Sequence, residues 1–99
     1  MKTSKYHGGV SVDHSRQLPR LRRIEGQVRG LQQMIEKERD CTEIINQISA
    51  VVAALRRVQG DMLRDHIVAC ATAAVTYDLP EKERQRIAQE IGKLLTRLG

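Results

Sequence analysis

The apolar positions of the chain fall into three runs, each with the spacing of a helix. In the first, Leu21, Ile24, Val28, Leu31 and Ile35 recur at intervals of three and four, the period of one helical face. The run predicts a helix over residues 15 to about 39. Pro19 fits inside its first turn, where a missing N–H has no helical partner to lose. Gly26 and Gly30 weaken this helix by about 1 kcal/mol each relative to alanine, and are candidate points of close approach by another helix.

A break is expected near residues 38–41. In the second run Ile44, Ile48, Val51, Leu55, Val58 and Met62 alternate by four and three, while Ile45, Val52, Leu63 and Ile67 widen the stripe. No proline interrupts it and Gly60 is its only glycine. One helix from 42 to about 77 is predicted, a rod of roughly 50 Å at 1.5 Å per residue. A helix so long, with so wide a stripe, wants more than one neighbour. The stretch "YDLPEKE" then breaks the pattern, and Asp78 and Pro80 read as helix-start signals. A third helix is predicted from about 81 to 98, with Ile87, Ile91, Leu94 and Leu98 inward.

No segment alternates with the period of a strand. The expected fold is all-α: a three-helix protomer in which the first two helices form an antiparallel hairpin and a short C-terminal helix follows. The stripe left over on the second helix implies a dimer at least. Residues 1–14, with Gly8, Gly9, Ser11 and little apolar content, read as a flexible N-terminal tail. His7 and His14 fall in that tail and read as solvated. Residues 15–99 read as one helical domain.

Composition narrows the function. Ninety-nine residues make at most one domain with a thin core, which oligomerisation would extend. The net charge is +5 and the pI about 9.7. That balance favours an anionic partner, nucleic acid first, beside the plainer reading of a soluble basic protein. No apolar run approaches the roughly 18 residues of a membrane span, and no apolar stretch follows the first lysines as in a secretory signal. The expected location is the cytoplasm, where Cys41 and Cys70 would be thiols. There is no phosphate loop, no catalytic carboxylate pair and no nucleophile–base pair apart from the residues considered next, so enzyme activity is not expected.

The stretch "DHIVAC" places His66 and Cys70 four apart, on one side of the second helix. Both roughly continue the apolar stripe, so ordinary packing accounts for them. They can also be two donors to one metal ion, since thiolate and imidazole suit soft and borderline metals. Two donors bind weakly, and the only other cysteine is Cys41. It lies 25 residues before His66, about 37 Å along a straight helix. Within one chain the three cannot meet. An antiparallel partner chain would bring Cys41 of one protomer beside His66 and Cys70 of its mate, giving one intersubunit site per protomer. The spacing matches no structural zinc pattern, and two thiolates with one imidazole suit trigonal Cu(I) better than tetrahedral zinc.

Arginine is the other signal. Arg16, Arg20 and Arg23 are four and three apart on one face of the first helix, with Arg22 and Arg29 adjacent. The second helix adds Arg56, Arg57 and Arg64. In a hairpin these can form a surface for phosphates, although a charge run is also simply a solvated face, and Glu25, Glu36 and Glu43 dilute this one.

Three segments, "RLRRIEGQVRGL", "CTEIINQISAVVAAL" and "MLRDHIVAC", occur in the order found in the CsoR/RcnR family of bacterial metal-sensing repressors. The chain resembles that family from about Arg20 to Leu98. The resemblance implies an all-α dimer assembling into a tetramer, with operator DNA bound until an inducer releases it. Cys41, His66 and Cys70 match the donor set of the copper-sensing branch. The nickel and cobalt sensors use a further nitrogen ligand near the N-terminus, where this chain has Gly9 with His7 close by. The formaldehyde branch lacks the second cysteine and the persulfide branch lacks the histidine. Around its histidine the copper branch also carries a glutamate on the third helix, which aligns with Glu90 and would accept from the second ring nitrogen of His66, and a tyrosine before the first cysteine, which is Asp40 here. Among the arginines, the family's DNA-contacting basic residues correspond to Arg20 and Arg57. Specificity in the family leans on DNA shape, often at G/C-rich, pseudo-palindromic operators. The expected function is a Cu(I)-responsive repressor. The alternatives are a sensor of the same fold for nickel, zinc or sulfane sulfur, and a helical metal-buffering protein without an operator.

Overall fold

A computed structural model describes residues 12–97. His7 and Gly9, weighed above as N-terminal positions, and Leu98, expected inward on the third helix, lie outside the described residues. A single 3-10 turn, Ser15–Gln17, leads into α1 (Leu18–Glu36), α2 (Cys41–Thr76) and α3 (Glu81–Arg97). The described residues contain no strand, and none of their helices is long and apolar enough to cross a membrane. The all-α, three-helix expectation is met, with α2 running unbroken through Gly60.

Both connections are built the same way. At the end of α1, Glu38 takes a left-handed conformation with φ 53°. The Glu38 N–H donates to the Ile35 carbonyl at 3.1 Å, and the Arg39 N–H to the Met34 carbonyl at 2.9 Å. These bonds satisfy carbonyls that the helix end would otherwise leave unpaired. At the end of α2, Asp78 has φ 47°. Its N–H donates to Val75 at 3.3 Å, and the Leu79 N–H to Ala74 at 3.2 Å. Asp78 therefore closes α2 instead of opening α3, a correction to its reading as a start signal. Aspartate is among the few residue types that tolerate left-handed backbone, which suits it to this place. The start of α3 falls to Pro80, whose carbonyl accepts from the N–H groups of Glu83 and Arg84 at 3.0 and 3.1 Å.

Glu38 is less suited to its conformation than Asp78. A left-handed non-glycine residue costs about 1–2 kcal/mol, and glycine avoids this at the expense of extra unfolded-state entropy. Glu38→Gly is expected to stabilise the protein by about 0.5–1 kcal/mol. Urea unfolding at fixed protein concentration measures it, and an unmoved midpoint would mean that Glu38 is unstrained.

The chain forms two compact units. The first, Ser15–Gln59, holds the 3-10 turn, α1 and the first part of α2. A four-residue connection, 37–40, joins α1 to α2 within it. Ile24, Val51 and Val58 are buried in it, whereas Ile45, Ile48, Val52 and Leu55 stay exposed, Ile45 at 55 %. One edge of the α2 stripe is thus covered and the rest is not. The second unit holds residues 12–14 and the chain from Gly60 onward. Its core is Cys70, Leu79 and Ile87, with Ala74 and Ile91 packed against it. His14, expected to be solvated, is half-buried here, with its Nδ1 shielded and unpartnered.

Candidate metal centre

Helical side chains at i and i+4 stack on one face, and α2 uses this to bring His66 against Cys70. The Cys70 Sγ lies 3.6 Å from the His66 Nε2. Cys70 is 4 % exposed, held among the aliphatic side chains of its core, and His66 is half-buried. Burial pushes the Cys70 thiol up from its ordinary value. The Glu90 carboxylate pushes it in the same direction, and the Arg86 guanidinium partly offsets both. At neutral pH Cys70 is therefore a thiol, able to donate to an imidazole nitrogen that carries no proton. One sulfur and one nitrogen donor thus share one side of α2.

Cys41 is the first residue of α2 and is exposed. Among the described residues of one chain, no three His, Cys, Asp or Glu side chains gather as a metal site. The fold brings together His66 and Cys70 but not Cys41.

The residue before Cys41 has a clear structural task. The Asp40 carboxylate accepts the Thr42 N–H at 3.1 Å, and its carbonyl accepts the Ile44 N–H at 3.1 Å. Asp40 is the N-cap of α2, satisfying one of its unpaired N–H groups. Where the resemblance implied a tyrosine, this chain carries a capping carboxylate. Arg39 reaches across the same turn to Glu43 at 2.6 Å.

Glu90, the expected acceptor for the second nitrogen of His66, bonds elsewhere in this conformation. Its Oε1 accepts from the Arg86 Nη1 at 2.5 Å. Arg86 also donates to Glu83 through Nε at 3.1 Å and Nη2 at 3.0 Å. No hydrogen bond joins Glu90 to His66. An opposite charge one turn away on the same helix is the nearer partner. Sequence reasoning does not single out Arg86, although the spacing of Glu83, Arg86 and Glu90, three and four apart, signals such a cluster.

The arginines gather in the other unit. Arg16 sits in the 3-10 turn, Arg20 and Arg23 on α1 and Arg57 on α2, all exposed and all within Ser15–Gln59. The same unit holds Arg22, Arg29 and Arg56. Nine lysines and arginines there stand against five acidic residues, so most of the net charge resides in it. Because Ser15–Gln17 wind as a 3-10 turn, Arg16 does not share one continuous α-helical register with Arg20 and Arg23.

Comparison with known proteins places the chain in a family. Residues 13–97 match the model of a family described as metal-sensitive transcriptional repressors. The copper-sensing transcriptional repressor RicR of Mycobacterium tuberculosis is 52 % identical over 61 residues, covering 62 % of this chain and 64 % of its own. The copper-sensing transcriptional repressor CsoR of Bacillus subtilis is 52 % identical over 56 residues, covering 57 % and 55 %. The match spans less than two thirds of either relative's length. Among solved structures, the Cu(I)-bound copper-sensing repressor CsoR of Geobacillus thermodenitrificans superposes with a TM-score of 0.76 at 34 % identity, covering 90 % of this chain and 94 % of that one. The nickel-responsive transcriptional regulator InrS gives 0.72 at 33 %, covering 96 % and 100 %. The family model covers nearly all of the described chain, and the likeness extends through all three helices: the chain belongs to the family of metal-sensitive transcriptional repressors.

Proposed function

We propose that this protein is a copper(I)-responsive transcriptional repressor, which binds operator DNA when metal-free and leaves it when Cu(I) is bound. The observation that carries this reading is the pairing of His66 Nε2 with Cys70 Sγ at 3.6 Å on α2, in a chain whose relatives RicR and CsoR are named as copper-sensing repressors. A soft thiolate sulfur beside an imidazole nitrogen fits Cu(I). Cys41 of a partner protomer would complete the donor set, one site per protomer. When bound, the ion would supply a soft centre that draws these side chains together.

The rest falls to the protein's own groups. Cys70 gives up its thiol proton on ligation, so uptake is linked to pH. His66 uses one nitrogen as a donor and keeps the other for an outer acceptor, for which Glu90 is the candidate. The exposed part of the α2 stripe is buried against a second copy, giving a homodimer and then a tetramer. Arg16, Arg20, Arg23 and Arg57 contact phosphates, and operator choice follows DNA shape at G/C-rich, pseudo-palindromic sites. Because metal and DNA each favour their own conformation, each lowers the affinity for the other by the same factor.

The likeness to a nickel-responsive regulator over the whole of its chain favours a second reading, with nickel as the inducer. One experiment separates them. The reduced, metal-free protein first selects a duplex from a random DNA pool. Its affinity for that duplex is then measured anaerobically with Cu(I), Ni(II) and Zn(II) at saturation. Cu(I) is expected to lower it by about 5- to 150-fold, the usual span of allosteric coupling, and the other two by far less. Release by Ni(II) alone would establish the nickel reading. Selection of no duplex would leave a metal-buffering protein.

A further inference from the structure

The outer acceptor proposed for His66 already has a partner. Arg86 projects from α3 with Glu83 three positions before it and Glu90 four after it, and it binds both. Its pair with Glu90 is the shorter, at 2.5 Å. Ile87 of α3 shares a core with Cys70, and Ile91 packs against it, so the helix that carries Arg86 and Glu90 lies against the α2 segment that carries Cys70. Glu90 can serve either the guanidinium on its own helix or the imidazole on α2. A charged guanidinium one turn away on the same helix is a nearer partner for the carboxylate than a half-buried imidazole on another helix.

We propose that Arg86 is a positioning residue that holds Glu90 away from His66, so that Glu90 reaches the histidine only when the Arg86–Glu90 pair opens. This rests on the reading of His66 and Cys70 as metal donors. It gives that site a threshold. His66 must first be ordered strongly enough to draw Glu90 off its arginine. Opening the pair frees Glu90 from its own helix and ties α3 to α2, while Glu83 retains Arg86. The pair is half exposed, with Glu90 at 51 % and Arg86 at 36 %. An ion pair that exposed is weak, and its removal is expected to shift an equilibrium by roughly two- to five-fold. The threshold is low enough for ligand binding to cross.

Arg86→Gln tests this, with Arg86→Lys as the variant that keeps the charge and Glu90→Gln as the partner. The first readout needs no metal: the ring 15N shifts of His66 in the metal-free protein. In the wild type they should ignore Glu90→Gln. In the Arg86→Gln background they should move with it, because Glu90 is then available to the ring. The second readout is the factor by which saturating Cu(I) lowers DNA affinity. Arg86→Gln should enlarge it roughly two- to five-fold, Arg86→Lys should restore it, and Glu90→Gln should cancel the gain. Ring shifts that stay indifferent to Glu90 once Arg86 is removed would overturn the proposal, as would coupling that falls in Arg86→Gln. If the wild type bound neither copper nor DNA, the repressor reading would fail, and the metal-free shifts would still decide whether Arg86 withholds Glu90.

Discussion

Cys41→Ala and Cys70→Ala should each lower Cu(I) affinity by more than about 100-fold, beyond the 10- to 100-fold typical of losing an outer partner of a metal ligand. Mixing the two variants should then restore part of the binding. The arithmetic follows from α2. In a mixed dimer one protomer lacks Cys41 and the other lacks Cys70. If Cys41 acts across the interface, one of the two sites combines the intact Cys41 of one protomer with the intact His66 and Cys70 of the other. With random exchange of subunits, about a quarter of all sites are whole. If all three donors came from one chain, no site would be whole. Competition with a Cu(I) chelator counts the tight sites directly. Recovery near a quarter establishes donation in trans, and none despite demonstrated exchange rules it out. His66→Ala should behave differently. Two thiolates still hold copper in that protein, but it loses the DNA response, because no ring remains to engage Glu90.

Arg20→Ala and Arg57→Ala should weaken operator binding while leaving helicity and copper affinity nearly unchanged. Arg20 and Arg57 belong to Ser15–Gln59, whereas His66 and Cys70 lie in the unit that begins at Gly60. Both arginines are exposed, so their removal opens no cavity. For every phosphate that is no longer neutralised, the slope of log K against log salt should become shallower by about 0.9. In a tetramer one substitution acts in several protomers at once, and the weakening is correspondingly larger. Binding measured between low and physiological salt tests this. Two variants with unchanged affinity and slope would move the DNA surface to other residues.

Much of the fold was legible because α-helical periodicity is strong in an aliphatic chain. The four-three alternation from Ile44 to Met62 located α2 to within a residue at each end. The helix ends were harder to assign. Asp78 and Asp40 are the same residue type beside a helix, yet one closes α2 from a left-handed conformation and the other opens it through its carboxylate. Composition does not separate these roles, since aspartate suits both. The His66–Cys70 contact was legible, as spacing on one helix fixes it. The place of Glu90 was not, because the competition between Arg86 and His66 is decided by side-chain geometry on α3. The exposed edge formed by Ile45, Ile48, Val52 and Leu55 matches the excess of apolar surface read from the pattern, and a single chain does not bury it.

Leu79 carries a consequence for how such a chain can change over generations. It supplies the N–H that bonds Ala74 at the end of α2, and its side chain is part of the core with Cys70 and Ile87. The four residues from Tyr77 to Pro80 therefore have no slack. One residue inserted there would turn α3 by about 100° relative to its present register. Ile87 would leave the core, and the acidic cluster would swing away from the cysteine. Substitutions at exposed Tyr77 can be sampled by drift so long as the count is kept, whereas Leu79 is bound by its burial and Asp78 by its left-handed backbone, and insertions and deletions are excluded throughout the joint. Recombination between related genes would be tolerated here only when both parents share the same joint length.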